Sequence, residues 1–197
     1  MITTRFFKSW KFLCLSFLSL MFASNKVVSL DTPLTTPFTL LISSVAQRLT
    51  FADQVALYKW NNAQSIADPQ REQQVLSHTV QQAASYHLSS DYVSRFFSDQ
   101  IEANKLVQYV LFANWHRFGN LPVAPASDLK RNIRTKLDQL QTILLQQLEL
   151  SSPARHQQNC AKVLAEATEL YATQHSLDAL HRIALERALV NVCEPSS

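Results

Sequence analysis

At 197 residues the chain suits one domain and is long enough to bury a sizeable core. A single glycine, Gly119, excludes a hairpin-rich β fold, and the supply of Leu, Ala, Gln, Glu, Lys and Arg predicts an all-α domain instead. The formal charge of +3 overstates the basicity: Arg5, Lys8, Lys11 and Lys26 all precede residue 30, and without them the charge is −1, so no cationic stripe remains to suggest nucleic acid as a partner.

The first predicted element is a targeting segment. Three cations precede the apolar run FLCLSFLSLMFA at 12–23, which gives way to SNKVVSLDT. A basic start and an apolar stretch too short to span a bilayer comfortably describe a secretory signal peptide over 1–29, cleaved after Ala23 or after Ser29. An uncleaved N-terminal anchor is the alternative. Cys14 has no small residue before it, which argues against a lipid anchor. The remaining domain is 30–197, exported to the periplasm or the exterior, without stable membrane insertion after processing.

Apolar spacing then predicts six helices. The first covers about 37–61, with Leu41, Val45, Ala52 and Val55 on its inner face. After QSIA, Asp68 can cap a second helix whose first turn accommodates Pro69, running to about His87. Ser89 or Ser90 opens a third, which stops at Gly119. NLPVAPAS is a loop leading to a cap at Ser127-Asp128, followed by a fourth helix over about 128–150. A fifth spans about 154–173 and a sixth runs from near Ser176 to Cys193.

Outside the leader only Cys160 and Cys193 remain, and an oxidising compartment would let them pair. If the last two helices form an antiparallel hairpin, these cysteines face each other, and a disulfide would contribute about 2–4 kcal/mol. Two unpaired buried thiols are the other reading.

The polar residues that fall on inward faces carry the chemical information. Arg48 and Lys59 are eleven residues apart, so they differ by only about 20° around a helix axis and share a stripe with Leu41, Ala52 and Val55. A buried cation is unfavourable unless it meets an anion. In the third helix Asn104 and Gln108 are i, i+4 neighbours on the stripe of Val93, Phe97, Leu111 and Trp115, and buried amides need partners. Arg71 and Glu72 follow Asp68 in one turn, where a cap and a helix-terminal acid are also ordinary roles. Arg134 borders the Leu137 and Leu144 side of the fourth helix. A lone Lys or Arg more often snorkels to solvent, so periodicity by itself leaves a shared anion site and a set of solvated charges both open.

Competing chemistry has no motif to stand on. GxSxG, HExxH, CxxC and a glycine-rich phosphate loop are all missing from the sequence, and the six histidines are scattered.

Taken together, Arg48-Leu49, VALYKW at 55–60, IADPQREQQVL at 66–76, DYVSRFFSDQIEANKLVQY at 91–109, Arg134 within IRTKLDQL, Cys160, and HSLDALHRIAL with Cys193 resemble the secreted, gamma-subclass AroQ-type chorismate mutases over nearly all of the mature chain. The resemblance implies an all-helical fold, one complete active site per protomer and commonly a homodimer. It implies a Claisen rearrangement of chorismate to prephenate with no cofactor and no metal. By the same resemblance Arg48 and Arg134 grip the substrate carboxylates, and Lys59 and Gln108 donate to the ether oxygen. Asp68 and Glu72 receive the ring hydroxyl, and Arg71 and Asn104 line the site near the ring carboxylate. Family members often carry a hydroxyl residue in place of Asn104, and some carry Glu in place of Gln108. A helical binding or effector module that keeps this scaffold without turnover is the alternative from another class; an enzyme acting on another cyclohexadiene dicarboxylate is a nearer one.

Overall fold

The computed structural model describes residues 36–119 and 129–194, by backbone alone at 129–131. They fall within one compact unit, Leu34–Ser197. The predicted signal peptide at 1–29 with both cleavage points, Cys14, and the loop and cap at 120–128 lie outside the described residues.

Seven α-helices are described: α1 (Thr39–Asn61), α2 (Pro69–Gln82), α3 (Ser90–Phe118), α4 (Leu129–Leu150), α5 (Ser152–Arg155), α6 (Cys160–Gln174) and α7 (Ala179–Leu189). A 3₁₀ turn at Ala83–Tyr86 extends α2. The predicted second helix is therefore real but tightens to i, i+3 bonding over its last turn. The predicted fifth helix divides differently: Ser152–Arg155 forms a separate turn started by Pro153, and the long helix begins only at Cys160. The sixth is shorter than predicted, because Asp178 caps it by accepting from the His181 amide, so Ser176 and Leu177 stay outside.

With one glycine in the chain, most helix ends must manage without it. After α1, after the 3₁₀ turn and after α6, the chain enters the left-handed region at Ala63, His87 and Ser176. At each, the amide of the following residue reaches back five positions, as in Gln64 to Lys59, Leu88 to Ala83 and Leu177 to Ala172. These are Schellman closures made with side chains that resist the conformation by roughly 1 kcal/mol. Gly119 takes the same conformation after α3, with φ 68°.

The core is built on α3, which packs against α7, α1 and α2, while α1 also supports α4 and α7. Phe38, Leu41, Val45, Val93, Phe96, Phe97, Val107, Leu144, Leu148 and Leu185 are among its fully buried members. A smaller cluster, separate from it, joins Phe51 on α1 to Ile133 and Leu140 on α4, with Val55 and Leu137 against it. That cluster seats the first half of α4 beside the end of α1 that carries Lys59.

At the other end, Cys160 and Cys193 form a disulfide with Cα atoms 5.8 Å apart. It ties the start of α6 to the tail after α7, on the inner side of the molecule with Cys160 buried.

Candidate active site

A cavity of about 150 Å³ opens between α1, α2, α3 and α4, and every one of the eight residues predicted to bind substrate lines it: Arg48, Lys59, Asp68, Arg71, Glu72, Asn104, Gln108 and Arg134. Val55, Ile66, Val75, Ile101, Ile133 and Leu137 provide its apolar surface. Polar atoms converging in an otherwise apolar concavity are the usual composition of a small-molecule site.

Arg48 is the most buried of the cations that line the cavity, at 5% exposure, and its Nε and Nη1 have no hydrogen-bond partner among the described residues. Burial pushes its pKa down to about 10; the neighbouring Arg71 cation acts the same way and Asp138 opposes them. The guanidinium is thus still charged at neutral pH, with two donor nitrogens that meet no acceptor among the described residues. Such a group is anomalous in a core unless a ligand anion completes it.

Lys59, three turns further along the same stripe at the end of α1, donates to the carbonyl of Ile66 in the α1–α2 connection. Burial lowers its pKa, Asp68 and Glu72 pull it back up, and Lys105 lowers it again. The single bond to Ile66 leaves two ammonium hydrogens for another acceptor. Around the connection Trp60 packs edge-on against Phe112 and Trp115, with ring centroids 5.1 and 5.5 Å away, which steadies the helix end that carries Lys59.

The acidic wall comes from the start of α2. Asp68 Oδ1 accepts from the Arg71 amide, and Glu72 Oε1 returns the favour by accepting from the Asp68 amide, both at 3.1 Å. This reciprocal cap holds both carboxylates in place before any ligand arrives. Glu72 Oε2 also meets Lys105 Nζ at 3.3 Å, and Lys105 meets Glu102 at 2.6 Å. The hydrogen bond to Glu102 is the largest influence on Lys105 and raises its pKa, with Glu72 adding to it against burial.

On α3, Gln108 Nε2 donates to Asn104 Oδ1 at 2.6 Å, and Gln108 Oε1 has no partner among the described residues. Turning over both amides preserves that bond with its direction reversed, gives up the longer 3.3 Å bond from Nε2 to the Asn104 backbone carbonyl, and would present the Gln108 NH₂ where Oε1 now lies. Arg134 lies on the exposed rim of the cavity.

Lys105, Asp138 and Gln141 were not singled out in the sequence. Lys105 is four residues after Ile101 and three before Gln108, so it belongs to a helical stripe that reaches the cavity. Asp138 lies one turn beyond Arg134 and pairs with Arg71 at 2.7 Å. Gln141, 2% exposed, donates to Asp138 at 3.1 Å. Among the described residues no group of three His, Cys, Asp or Glu side chains is disposed to hold a metal, and no helix is long and apolar enough to cross a membrane.

An all-helical domain whose cavity gathers cations and amides over an apolar surface belongs to the class of proteins built to hold an anionic small molecule. Residues 39–109 match the family Chorismate mutase type II. The chain is 32% identical over 157 residues to a secreted chorismate mutase of Mycolicibacterium smegmatis, covering 80% of this chain and 86% of that one. It is 32% identical over 155 residues to a secreted chorismate mutase of Mycobacterium tuberculosis, covering 78% and 77%. A crystal structure of chorismate mutase from Burkholderia phymatum superposes with a TM-score of 0.77 at 44% identity, covering 80% of this chain and 96% of that one. The chain belongs to the chorismate mutase type II family.

Proposed function

We propose that this cavity is where the chain converts chorismate to prephenate, the reaction its family membership assigns to it. The observation that carries the assignment to this cavity is Arg48: a buried guanidinium with two unpartnered donors, on the stripe that also carries Lys59.

The reaction is an intramolecular rearrangement in which the ether C–O bond breaks as a C–C bond forms. No proton is transferred and no covalent intermediate with the protein is required, which suits a site without an activated nucleophile. Chorismate must hold its enolpyruvyl arm over the ring, and two carboxylates are the natural handles for doing so. Arg48 and Arg134 are proposed to grip them, with Arg71 near the ring carboxylate and Asn104 beside it. Bidentate guanidinium–carboxylate contacts hold the reacting carbons in a near-attack geometry.

As the C–O bond breaks, negative charge grows on the ether oxygen. Lys59 and Gln108 are proposed to donate to that oxygen, Lys59 through its remaining ammonium hydrogens and Gln108 after the paired amide turn. Donors fixed in advance in a poorly hydrated site stabilise such charge without reorganising. Asp68 and Glu72 are proposed to receive the ring hydroxyl; each has one oxygen committed to the cap, which fixes the direction of the other.

The curated relatives carry the word secreted in their names, and this chain is likewise periplasmic or secreted. We propose the 1–29 segment as its export signal and a homodimer as its assembly. Light scattering on purified protein tests the second.

The test of the main reading is the loss of chorismate absorbance with purified mature protein, with prephenate identified by chromatography. Lys59→Ala should lower kcat by roughly 10²–10³-fold while the thermal transition stays in place. A Lys59→Ala protein that turns over at the wild-type rate would end the proposed role, and a wild type that leaves chorismate untouched would end the whole assignment.

A further inference from the structure

Asp138 is an anion paired with two residues that line the cavity, Arg71 and Gln141, while standing outside the lining itself, and the roles assigned above leave it without a task. It stands on α4 one turn after Arg134, so the two share a face. Its Oδ1 accepts from Arg71 Nη2 at 2.7 Å and from Gln141 Nε2 at 3.1 Å. Gln141 is itself almost wholly buried, so Asp138 is backed by a fixed donor on its own helix. The first half of α4 otherwise rests on the small cluster of Phe51, Ile133 and Leu140, apart from the main core. The Arg71–Asp138 pair thus joins the first turn of α2 to the part of α4 that carries Arg134.

We propose that Asp138 is a positioning residue for substrate binding: held by Gln141, it takes one corner of the Arg71 guanidinium and sets the spacing between Arg71 on α2 and Arg134 on α4. A competing role, in which Asp138 occupies Arg71 until substrate displaces it, fits the geometry less well. Among the described residues Arg71 is engaged through Nη2, which leaves Nε and Nη1 for a ligand, and a carboxylate meant to leave would not need a buried amide behind it. Asp138 also offsets part of the effect of burial and of Arg71 on Arg48, so its charge is felt across the cavity.

The proposal rests on the cavity being the chorismate site, and the experiment separates the two. Steady-state kinetics on chorismate would be measured for wild type, Asp138→Asn, Asp138→Glu, Arg71→Ala and the double variant Arg71→Ala with Asp138→Asn, with a thermal transition recorded for each. Because the pair is partly exposed, Asp138→Asn should raise KM by about fivefold, and kcat should stay within about twofold. Asp138→Glu should recover part of the loss, since it keeps the charge. In the Arg71→Ala background Asp138→Asn should change nothing further, because its effect passes through Arg71. An unchanged or lowered KM in Asp138→Asn overturns the proposal, as does a loss that multiplies independently in the double variant. If wild type itself leaves chorismate unchanged, the cavity assignment fails and this proposal fails with it; activity in wild type with any of the contrary results refutes Asp138 alone.

Discussion

Two arginines are buried in this molecule to nearly the same extent and in opposite circumstances. Arg155, 1% exposed, closes α5: Nε donates to the Leu148 carbonyl at 3.0 Å, Nη1 pairs with Glu194, and the guanidinium lies over the Tyr92 ring with its carbon 4.3 Å from the centroid. Its backbone carbonyl accepts from the Glu194 amide, and the Tyr92 hydroxyl goes on to the Val192 carbonyl at 2.9 Å. With the Cys160–Cys193 disulfide beside it, this end of the fold spends its charge on itself. Arg48, 5% exposed, has Asp138 and Arg71 in its neighbourhood and two donors with no partner among the described residues. A buried cation completed by the protein is part of the fold, whereas one left open is held for something else.

That contrast predicts effects of opposite sign. Arg155→Met removes the Nε bond to the Leu148 carbonyl, which keeps Ser151 Oγ at 3.1 Å, and the ion pair with Glu194, which keeps His156 Nε2 at 3.3 Å, so it should lower unfolding free energy by about 2 kcal/mol in a denaturant titration, with the folded fraction still active. Arg48→Met removes an unpaired buried charge and fills its space with an apolar chain, which should leave stability unchanged or raise it by about 1 kcal/mol. Turnover of chorismate should be lost in the same protein. If Arg48→Met destabilises as much as Arg155→Met does, Arg48 is an ordinary structural residue and the contrast collapses.

Gln108 sharpens the comparison through pH, because an amide donates a hydrogen bond at any ordinary pH and a carboxyl donates only when protonated. Wild-type turnover should be nearly flat from mild acid to neutral pH. Gln108→Glu should be active in acid and fall by roughly 10²-fold towards neutral pH as the carboxyl ionises beside the ether oxygen, where a negative charge opposes the transition state. A wild-type rate that declines as pH rises through the carboxylic acid range would contradict the role given to Gln108.

What was legible in the sequence follows the same division. The all-α class, the cap at Asp68 and the stop at Gly119 rest on local rules, one glycine among them, and the structure has all three. Arg48, Lys59, Asn104 and Gln108 were visible as polar residues at apolar spacing, and the cavity gathers them. The break between Arg155 and Cys160 was not visible, because it is made by Arg155 turning to Leu148 and Glu194, seven residues back and thirty-nine ahead. Nor was the reach of Asp138 to Arg71, 67 residues away. Charges on α4 look solvated one helix at a time, and only the packing of α4 across α2 gives them a partner.

His181 offers the smallest effect and a third case, a cation paired by the protein at a partly wet surface. Its Nε2 lies 3.3 Å from Asp53 on α1 and its Nδ1 2.9 Å from Asp178, the cap of its own helix. The hydrogen bond to Asp53 is the main influence and Asp178 adds to it, so against the opposing effect of burial the imidazole pKa rises to about 9. A folded pKa above the unfolded value of about 6.5 means that the pairing contributes fully below pH 6.5 and fades as pH rises towards 9, where the neutral ring leaves two carboxylates facing each other. Both carboxylates are about half exposed or more, so solvent screens the pair and the contribution lost should be about 1 kcal/mol, or a few degrees in the thermal transition. Asp53→Asn should flatten that dependence between pH 6.5 and 9.5 and leave KM for chorismate unchanged, because this pairing joins α1 to α7 away from the residues that line the cavity. A wild-type transition that does not move over this range, or one that moves as much in Asp53→Asn, would show that the imidazolium contributes nothing to holding α7 against α1.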